Sequence, residues 1–228
     1  MSSLAKVLIV EEIDLPGAEV YYIRNVVDNP KEIYEKLVEE VPWKQEEIFA
    51  YGKYHNQPRL SCFLGQVDKP YSYSGIVRIP EPMGETITML TGIVQHVVDI
   101  VKPGHLKYTS TLGNRYRNGN DYIAQHSDSE DDMVANTMIA SLSLNQERFF
   151  DFHDKETGKK VLRLELESGS LLLMGEGSQS LYTHGVPKQL TKNKERLNFT
   201  WRVMKENNKS KIKLDKQKLI DKLIDESK

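Results

Sequence analysis

Cysteine is nearly absent. Cys62 is the only one in 228 residues, so an internal disulfide is excluded. That usage suits a reducing, intracellular setting, with nucleus and cytoplasm both open. Net charge is also scarce. Thirty-three acidic residues offset 31 Lys and Arg, leaving a formal charge of −2. No global electrostatic argument for a polyanion partner exists, so any nucleic-acid surface has to be local. Long hydrophobic runs are missing too. The apolar stretch from Leu4 to Val10 is interrupted by Lys6 and closed by Glu11 and Glu12. It falls far short of the roughly 20 residues that cross a bilayer and reads as a strand or packing segment. There is no internal repeat and no low-complexity tract, which excludes a solenoid. With 39% apolar and 28% charged residues, a soluble globular protein without membrane contact is expected, a monomer by default.

The first elements follow from local pattern. Residues 18–27 are β-branched and aromatic and predict a strand. Asn29-Pro30 then opens a helix, with Asn29 as cap, Pro30 at the first helical position and Glu32 at capping-box spacing. Ile33, Leu37, Val38 and Val41 line one face of that helix. Residues 47–52, a polar turn at 53–59 and a strand at 60–64 suggest a hairpin. Tyr71 and Tyr73 stand two apart, hence on one face of an extended segment, where such a pair can flank a planar ligand. Ile87, Leu90, Val94, Val97, Val98 and Val101 predict a core helix over residues 85–101, stopped by Pro103-Gly104.

Downstream, short strands are expected near 106–116, 121–126, 136–144, 147–153, 160–166, 170–174 and 196–204. Many short strands without intervening helices imply a sandwich, barrel or jelly roll, whose mouth accepts ligands readily. From Lys205 onward lysines recur over a weak helical stripe, which reads as an appended helix or tail.

The chemistry begins at His126 and Asp128. Residues i and i+2 of an extended chain project to the same face, so an imidazole and a carboxylate can share a metal ion there. A firm site needs a third ligand, and His184 is the best candidate. Two histidines and one carboxylate leave three positions open on an octahedral ion, the arrangement of non-haem Fe(II) oxygenases. A second pattern lies at residues 196–202. Arg196, Asn198, Thr200 and Arg202 alternate with Leu197, Phe199 and Trp201, so a strand would split them into a polar and an apolar face. Two inward arginines are costly to bury without an anion, and a dicarboxylate would satisfy them through paired hydrogen bonds.

In this order and spacing, several segments resemble the AlkB family of Fe(II)- and 2-oxoglutarate-dependent dioxygenases, especially its eukaryotic DNA/RNA alkylation-repair members. They are Asn114-x-Tyr116-x-x-Gly119, His126-x-Asp128-x-Glu130, Ile139–Leu144, Gly169–Met174, His184 and Arg196-x-Asn198-x-Thr200-x-Arg202. Asn56–Leu60 and Tyr71–Gly75 look like the family's nucleotide-recognition lid. The match covers roughly residues 47–204.

The resemblance implies an α+β protein with a double-stranded β-helix (jelly-roll) core, flanking helices and an N-terminal lid. It divides the chain into a strand/helix extension at 1–46, a dioxygenase domain at 47–204 with its lid at about 47–80, and a lysine-rich helix or tail at 205–228. It implies that His126, Asp128 and His184 bind Fe(II). Arg196, with Tyr116 and Asn114, would hold the distal carboxylate of 2-oxoglutarate, and Asn198 and Arg202 its iron-chelating end. Tyr73 and His126 would sandwich an alkylated base, with Tyr71 beside them, Glu130 bonding the base, Arg59 at the lid and Tyr51 wedging into a duplex. With O2, the implied reaction is oxidative demethylation of 1-methyladenine or 3-methylcytosine in DNA or RNA, releasing formaldehyde, succinate and CO2. An RNA-modification demethylase and a protein side-chain hydroxylase of the same fold are the alternatives. Trp201 stands where the family has phenylalanine, and the segment from Asp154 to Lys160 is shorter than in duplex-specific members.

Overall fold

The structure is a computed structural model that describes residues 7–50, 52–66, 71–73, 76–78, 80–128 and 132–205. Early elements in chain order are β1 (Val10–Glu12), β2 (Val20–Ile23), α1 (Pro30–Glu40), β3 (Lys44–Ala50), β4 (Lys53–Gly65), β5 (Tyr71–Tyr73), β6 (Ile76–Arg78) and α2 (Glu85–Val101). Then follow β7 (Ser110–Tyr116), β8 (Ile123–His126), β9 (Ile139–Asn145), β10 (Arg148–Asp154), β11 (Lys160–Leu166), β12 (Leu171–Met174), β13 (Tyr182–Val186) and β14 (Arg196–Arg202).

Three layers result. A large antiparallel sheet runs β1-β2-β12-β9-β14-β7-β4-β3, a smaller one runs β11-β10-β13-β8, and β5 pairs with β6. Both helices cover the outer face of the large sheet. Leu37 from α1 and Leu90, Val94 and Val98 from α2 pack there with Leu142, Leu173, Leu197, Phe199 and Trp201. The inner face meets the small sheet through a second cluster that includes Tyr22, Phe63, Tyr116, Phe150, Phe152 and Leu172. This is the double-stranded β-helix that the strand count and the resemblance led one to expect.

Every residue of β14 is buried. It lies in the interior of the large sheet, hydrogen-bonded to β7 on one side and β9 on the other. Alternation therefore sends Leu197, Phe199 and Trp201 to the helices and Arg196, Asn198, Thr200 and Arg202 into the space between sheets. The extra size of Trp201 is absorbed in the helix layer, where its Nε1–H donates to Thr91 Oγ1 at 2.8 Å.

Some local expectations need correction. The hairpin is real, but Ala50 already pairs with Lys53, and Gly52, just before Lys53, has φ +79°. Residues 53–59 are not a turn. They form the first half of β4: Lys53 to Asn56 pair with β3, a register irregularity follows, and burial alternates from Gln57 onward. Asn29 occupies the cap position of α1 in a left-handed conformation, yet its side chain makes no capping bond. Val7 and Ile9 are exposed, so of the described part of the N-terminal apolar run only Leu8 packs on the core. The tail beyond residue 205 lies outside the described residues.

Trp201→Ala should destabilise the protein by about 3–5 kcal/mol, the cost of emptying a large aromatic site in a rigid core. Trp201→Phe should cost about 1–2 kcal/mol, since the ring is kept and one hydrogen bond is lost. Urea unfolding of both variants checks the order.

Candidate metal and co-substrate site

The small sheet supplies two imidazoles. His126 ends β8 and His184 lies in the middle of β13, and the register places them directly opposite each other. Their ring centroids are 4.5 Å apart. Asp128, just past the end of β8, completes the group. His126 Nε2 is 3.7 Å from Asp128 Oδ1, and His184 Nε2 is 3.9 Å from Asp128 Oδ2. The three donor atoms lie within 4.8 Å of one another. Such spacing suits ligands that converge on one ion.

The surroundings prepare these donors. His126 Nδ1 is 2.9 Å from the Ala124 carbonyl. A proton held there leaves the Nε2 lone pair facing the metal position. His184 is buried with Phe150 stacked at 5.1 Å and Phe152 edge-on at 6.1 Å. Burial, reinforced by His126, pushes its pKa down to about 3, so it stays a neutral ligand. Burial alone would raise the Asp128 carboxyl. The Arg202 guanidinium, then His184 and His126, overcome that effect and hold it well below the usual carboxylate range. Arg202 Nη2 donates to Asp128 Oδ1 at 2.7 Å. Gln179 Oε1 accepts the Asp128 backbone N–H at 2.8 Å, tying the loop beyond β8 to the turn after β12.

The large sheet faces this group across a cavity lined by Asn114, Ser141, Asn198 and Thr200 as well as by the triad. Asn198 Nδ2 donates to Ser141 Oγ at 2.8 Å and to the Leu142 carbonyl at 3.0 Å. Arg196 is 1% exposed and donates Nη2 to Ser143 Oγ at 2.9 Å. Its Nε and Nη1 have no hydrogen-bond partner. Burial pushes its pKa down to about 10, so it remains a cation at neutral pH. A buried guanidinium with idle donors is a receptor for a carboxylate, and this is the structural sign that an anionic co-substrate fits here. Tyr116 shapes the same pole, with the Arg196 guanidinium 5.2 Å and the Arg148 guanidinium 5.7 Å from its ring centroid.

Most residues singled out in the sequence thus converge. His126, Asp128 and His184 form one pole, Arg196 and Tyr116 the other, and Asn114, Asn198 and Arg202 lie between. Arg59 joins them on β4, buried, its Nε donating to Asn114 Oδ1 at 2.7 Å. Gly119 holds the loop after β7, where a Cβ would collide with the Gln189 carbonyl. Tyr71 and Tyr73 fall on β5, and Tyr51 and Glu130 lie outside the described residues. Four contributors were missed. Ser141 and Ser143 carry a readable signal, two hydroxyls at i, i+2 on an apolar strand. Gln179 and Phe150 carry none, because only the pairing of distant strands brings them in.

Two histidines and a carboxylate with open coordination positions, inside a jelly roll whose other pole awaits a carboxylate, define an Fe(II)- and 2-oxoglutarate-dependent oxygenase. The family model described as the 2OG-Fe(II) oxygenase superfamily matches residues 19–202. The chain belongs to that superfamily and, within it, to the AlkB family. It is 32% identical over 181 residues to "Alpha-ketoglutarate-dependent dioxygenase alkB homolog 3" of Bos taurus, covering 75% of this chain and 60% of that protein. It is 30% identical over 181 residues to "DNA oxidative demethylase ALKBH2" of Homo sapiens, covering 75% of this chain and 67% of that protein. A solved structure titled "The structure of OsALKBH1" shares the fold, with a TM-score of 0.59 at 18% identity over 86% of this chain and all of that one. The chain spans about 60% of the length of the first of these relatives. Among the described residues no helix is long and apolar enough to cross a membrane.

His126→Ala should abolish Fe(II) binding with little change in stability, because that side chain is partly exposed. Asp128→Ala should abolish binding and also cost about 3–5 kcal/mol, since it strands the buried Arg202 charge. Metal titration and urea unfolding of the metal-free variants separate the two effects. Metal-free wild type should also lose stability in acid. A histidine that titrates near 6.5 when unfolded and about 3 when folded binds its proton first in the unfolded state. Stability therefore falls as pH drops through that window, by roughly 1.4 kcal/mol per unit at most. Unfolding curves between pH 7 and pH 4 measure the slope, and His184→Phe should flatten it.

Proposed function

We propose that this chain is an oxidative N-demethylase of alkylated nucleic-acid bases, directly reversing lesions of the 1-methyladenine and 3-methylcytosine type. The observation that carries the reading is one cavity lined by the His126-Asp128-His184 set and by Tyr116, with the buried Arg196 guanidinium and its idle donors beside the Tyr116 ring. The similarity to a protein named as a DNA oxidative demethylase directs the choice of substrate.

When bound, Fe(II), 2-oxoglutarate and O2 supply the oxidation of an N-methyl group, giving succinate, CO2 and a hydroxymethyl product that releases formaldehyde. The protein's own residues supply geometry and charge. His126, Asp128 and His184 hold the iron. Arg196, steadied by Ser143 and Tyr116, takes the distal carboxylate of 2-oxoglutarate. Asn114, fixed by Arg59, and Asn198, fixed by Ser141, orient the molecule between the poles. Arg202 keeps Asp128 ionised, which preserves an anionic ligand at every working pH. Phe150 and Phe152 keep water from the His184 side.

The base enters opposite this floor. In this reading residues 47–80 form the lid, Tyr73 and Tyr71 cover the base against His126, and Tyr51 fills the space it leaves in a duplex. The Glu130 carboxylate and the aromatic faces favour a cationic methylated base over a neutral one. The partner is nucleic acid, DNA or RNA, met by a monomer.

Oligonucleotides carrying one 1-methyladenine or 3-methylcytosine, as single-stranded DNA, duplex DNA and RNA, test the reading. Incubation with Fe(II), 2-oxoglutarate and ascorbate should remove one methyl equivalent by mass, only when 2-oxoglutarate is present. Succinate without loss of any methyl group would sink the nucleic-acid assignment and leave the iron site standing.

A further inference from the structure

Strand β4 carries a polar ladder toward the cavity. His55, Gln57, Arg59 and Ser61 alternate along it, while Cys62 and Leu64 on the opposite face pack in the helix layer. Arg59 and Ser61 line the cavity that holds the triad. Gln57 continues the same alternation of buried positions, one step beyond the lining of that cavity. It is only 3% exposed, and neither its Oε1 nor its Nε2 has a hydrogen-bond partner. Two backbone carbonyls at this point are held. Gln45 Nε2 donates to the Gln57 carbonyl at 2.7 Å, and Tyr122 N–H donates to the Pro58 carbonyl at 3.0 Å. Gln57 is therefore a fixed amide whose donor and acceptor are both buried and idle. Leaving such groups unpaired is costly, and the neighbouring Ser61 Oγ is idle as well.

An amide of this kind matches a ligand edge that presents one donor and one acceptor side by side. We infer that Gln57 reads the substrate base, pairing through both amide atoms with the exocyclic amino group and ring N7 of 1-methyladenine. Methylation at N1 leaves that edge intact, and glutamine is the side chain whose geometry matches adenine N6 and N7. 3-Methylcytosine offers its amino group beside a C–H, so it can make only one of the two bonds. Gln57 is thus a specificity-determining residue that favours the methylated purine. This inference rests on the reading of the chain as a base demethylase.

The test compares kcat/KM on matched single-stranded oligonucleotides bearing 1-methyladenine or 3-methylcytosine, for wild type, Gln57→Leu and Gln57→Glu. Wild type should favour 1-methyladenine by about tenfold, at the low end of the discrimination expected from a bidentate amide–adenine pair. Gln57→Leu should bring that ratio close to one, mainly by raising KM for 1-methyladenine. Gln57→Glu, which keeps acceptors and loses the donor, should fall between. Gln57→Leu should melt no lower than wild type, because an idle buried amide has been exchanged for an apolar group of similar size. An unchanged ratio in Gln57→Leu overturns the assignment. So does an equal loss on both oligonucleotides with a lower melting temperature, which marks a packing role. If wild type binds Fe(II) and 2-oxoglutarate but demethylates neither oligonucleotide, the functional reading itself has failed.

Discussion

The structure depends on one strand that is buried on both faces. β14 has no solvent side, so its backbone must be satisfied by two neighbours and its side chains must divide between two interiors. The outer interior is apolar and takes Leu197, Phe199 and Trp201 against the helices. The inner one receives Arg196, Asn198, Thr200 and Arg202. Polar groups placed there are stable only where each finds a partner or a ligand. Ser141 and Ser143 on β9 answer Asn198 and Arg196, and Asp128 from the small sheet answers Arg202. The candidate metal ligand Asp128 and strand β14 are thus joined by the same requirement that holds the two sheets together.

That requirement explains what could be read from the sequence. The alternation at residues 196–202 predicts both faces of β14, because a period of two admits only one sorting of these residues. The His126–Asp128 pair is legible for the same reason. The helix at 85–101 and the strand at 160–166 were likewise recoverable, each having a pattern long enough to be unambiguous. His184 is different. Its strand, Tyr182–Val186, holds Gly185 and only short alternation, and little local marks it as β. Its place opposite His126 comes from pairing across more than fifty residues, so the sequence offered it as a third ligand by residue type and by resemblance, not by local pattern.

The first half of β4 shows the complementary failure. Lys53 to Arg59 is rich in polar residues and contains Pro58, so it reads as a turn. In the structure it is a strand with an inward polar face, because the cavity it borders is itself polar. Loop-like composition and strand geometry coincide where a sheet lines a binding site, and a reading based on hydrophobic alternation misses such positions. Gln57 is a product of that situation, invisible as a core residue and equally invisible as a surface one.

The charges within the cavity link iron and 2-oxoglutarate to each other. Arg59 and Arg202 line it, Arg148 and Arg196 are buried beside the Tyr116 ring, and Asp128 is the carboxylate in its lining. His126 and His184 add no compensating negative charge. A divalent cation alone would add positive charge next to Arg202, and the dicarboxylate alone would satisfy Arg196 while bringing its second carboxylate toward Asp128. Together the two ligands would neutralise each pole, with one carboxylate at Arg196 and the ion beside Asp128. Each therefore lowers the electrostatic cost of binding the other, and by linkage the coupling is the same in both directions. The Arg202–Asp128 bond sets the starting condition by keeping the carboxylate ionised and fixing its Oδ1. The Oδ2 atom stays on the His184 side, 3.9 Å from Nε2, where an ion could be shared.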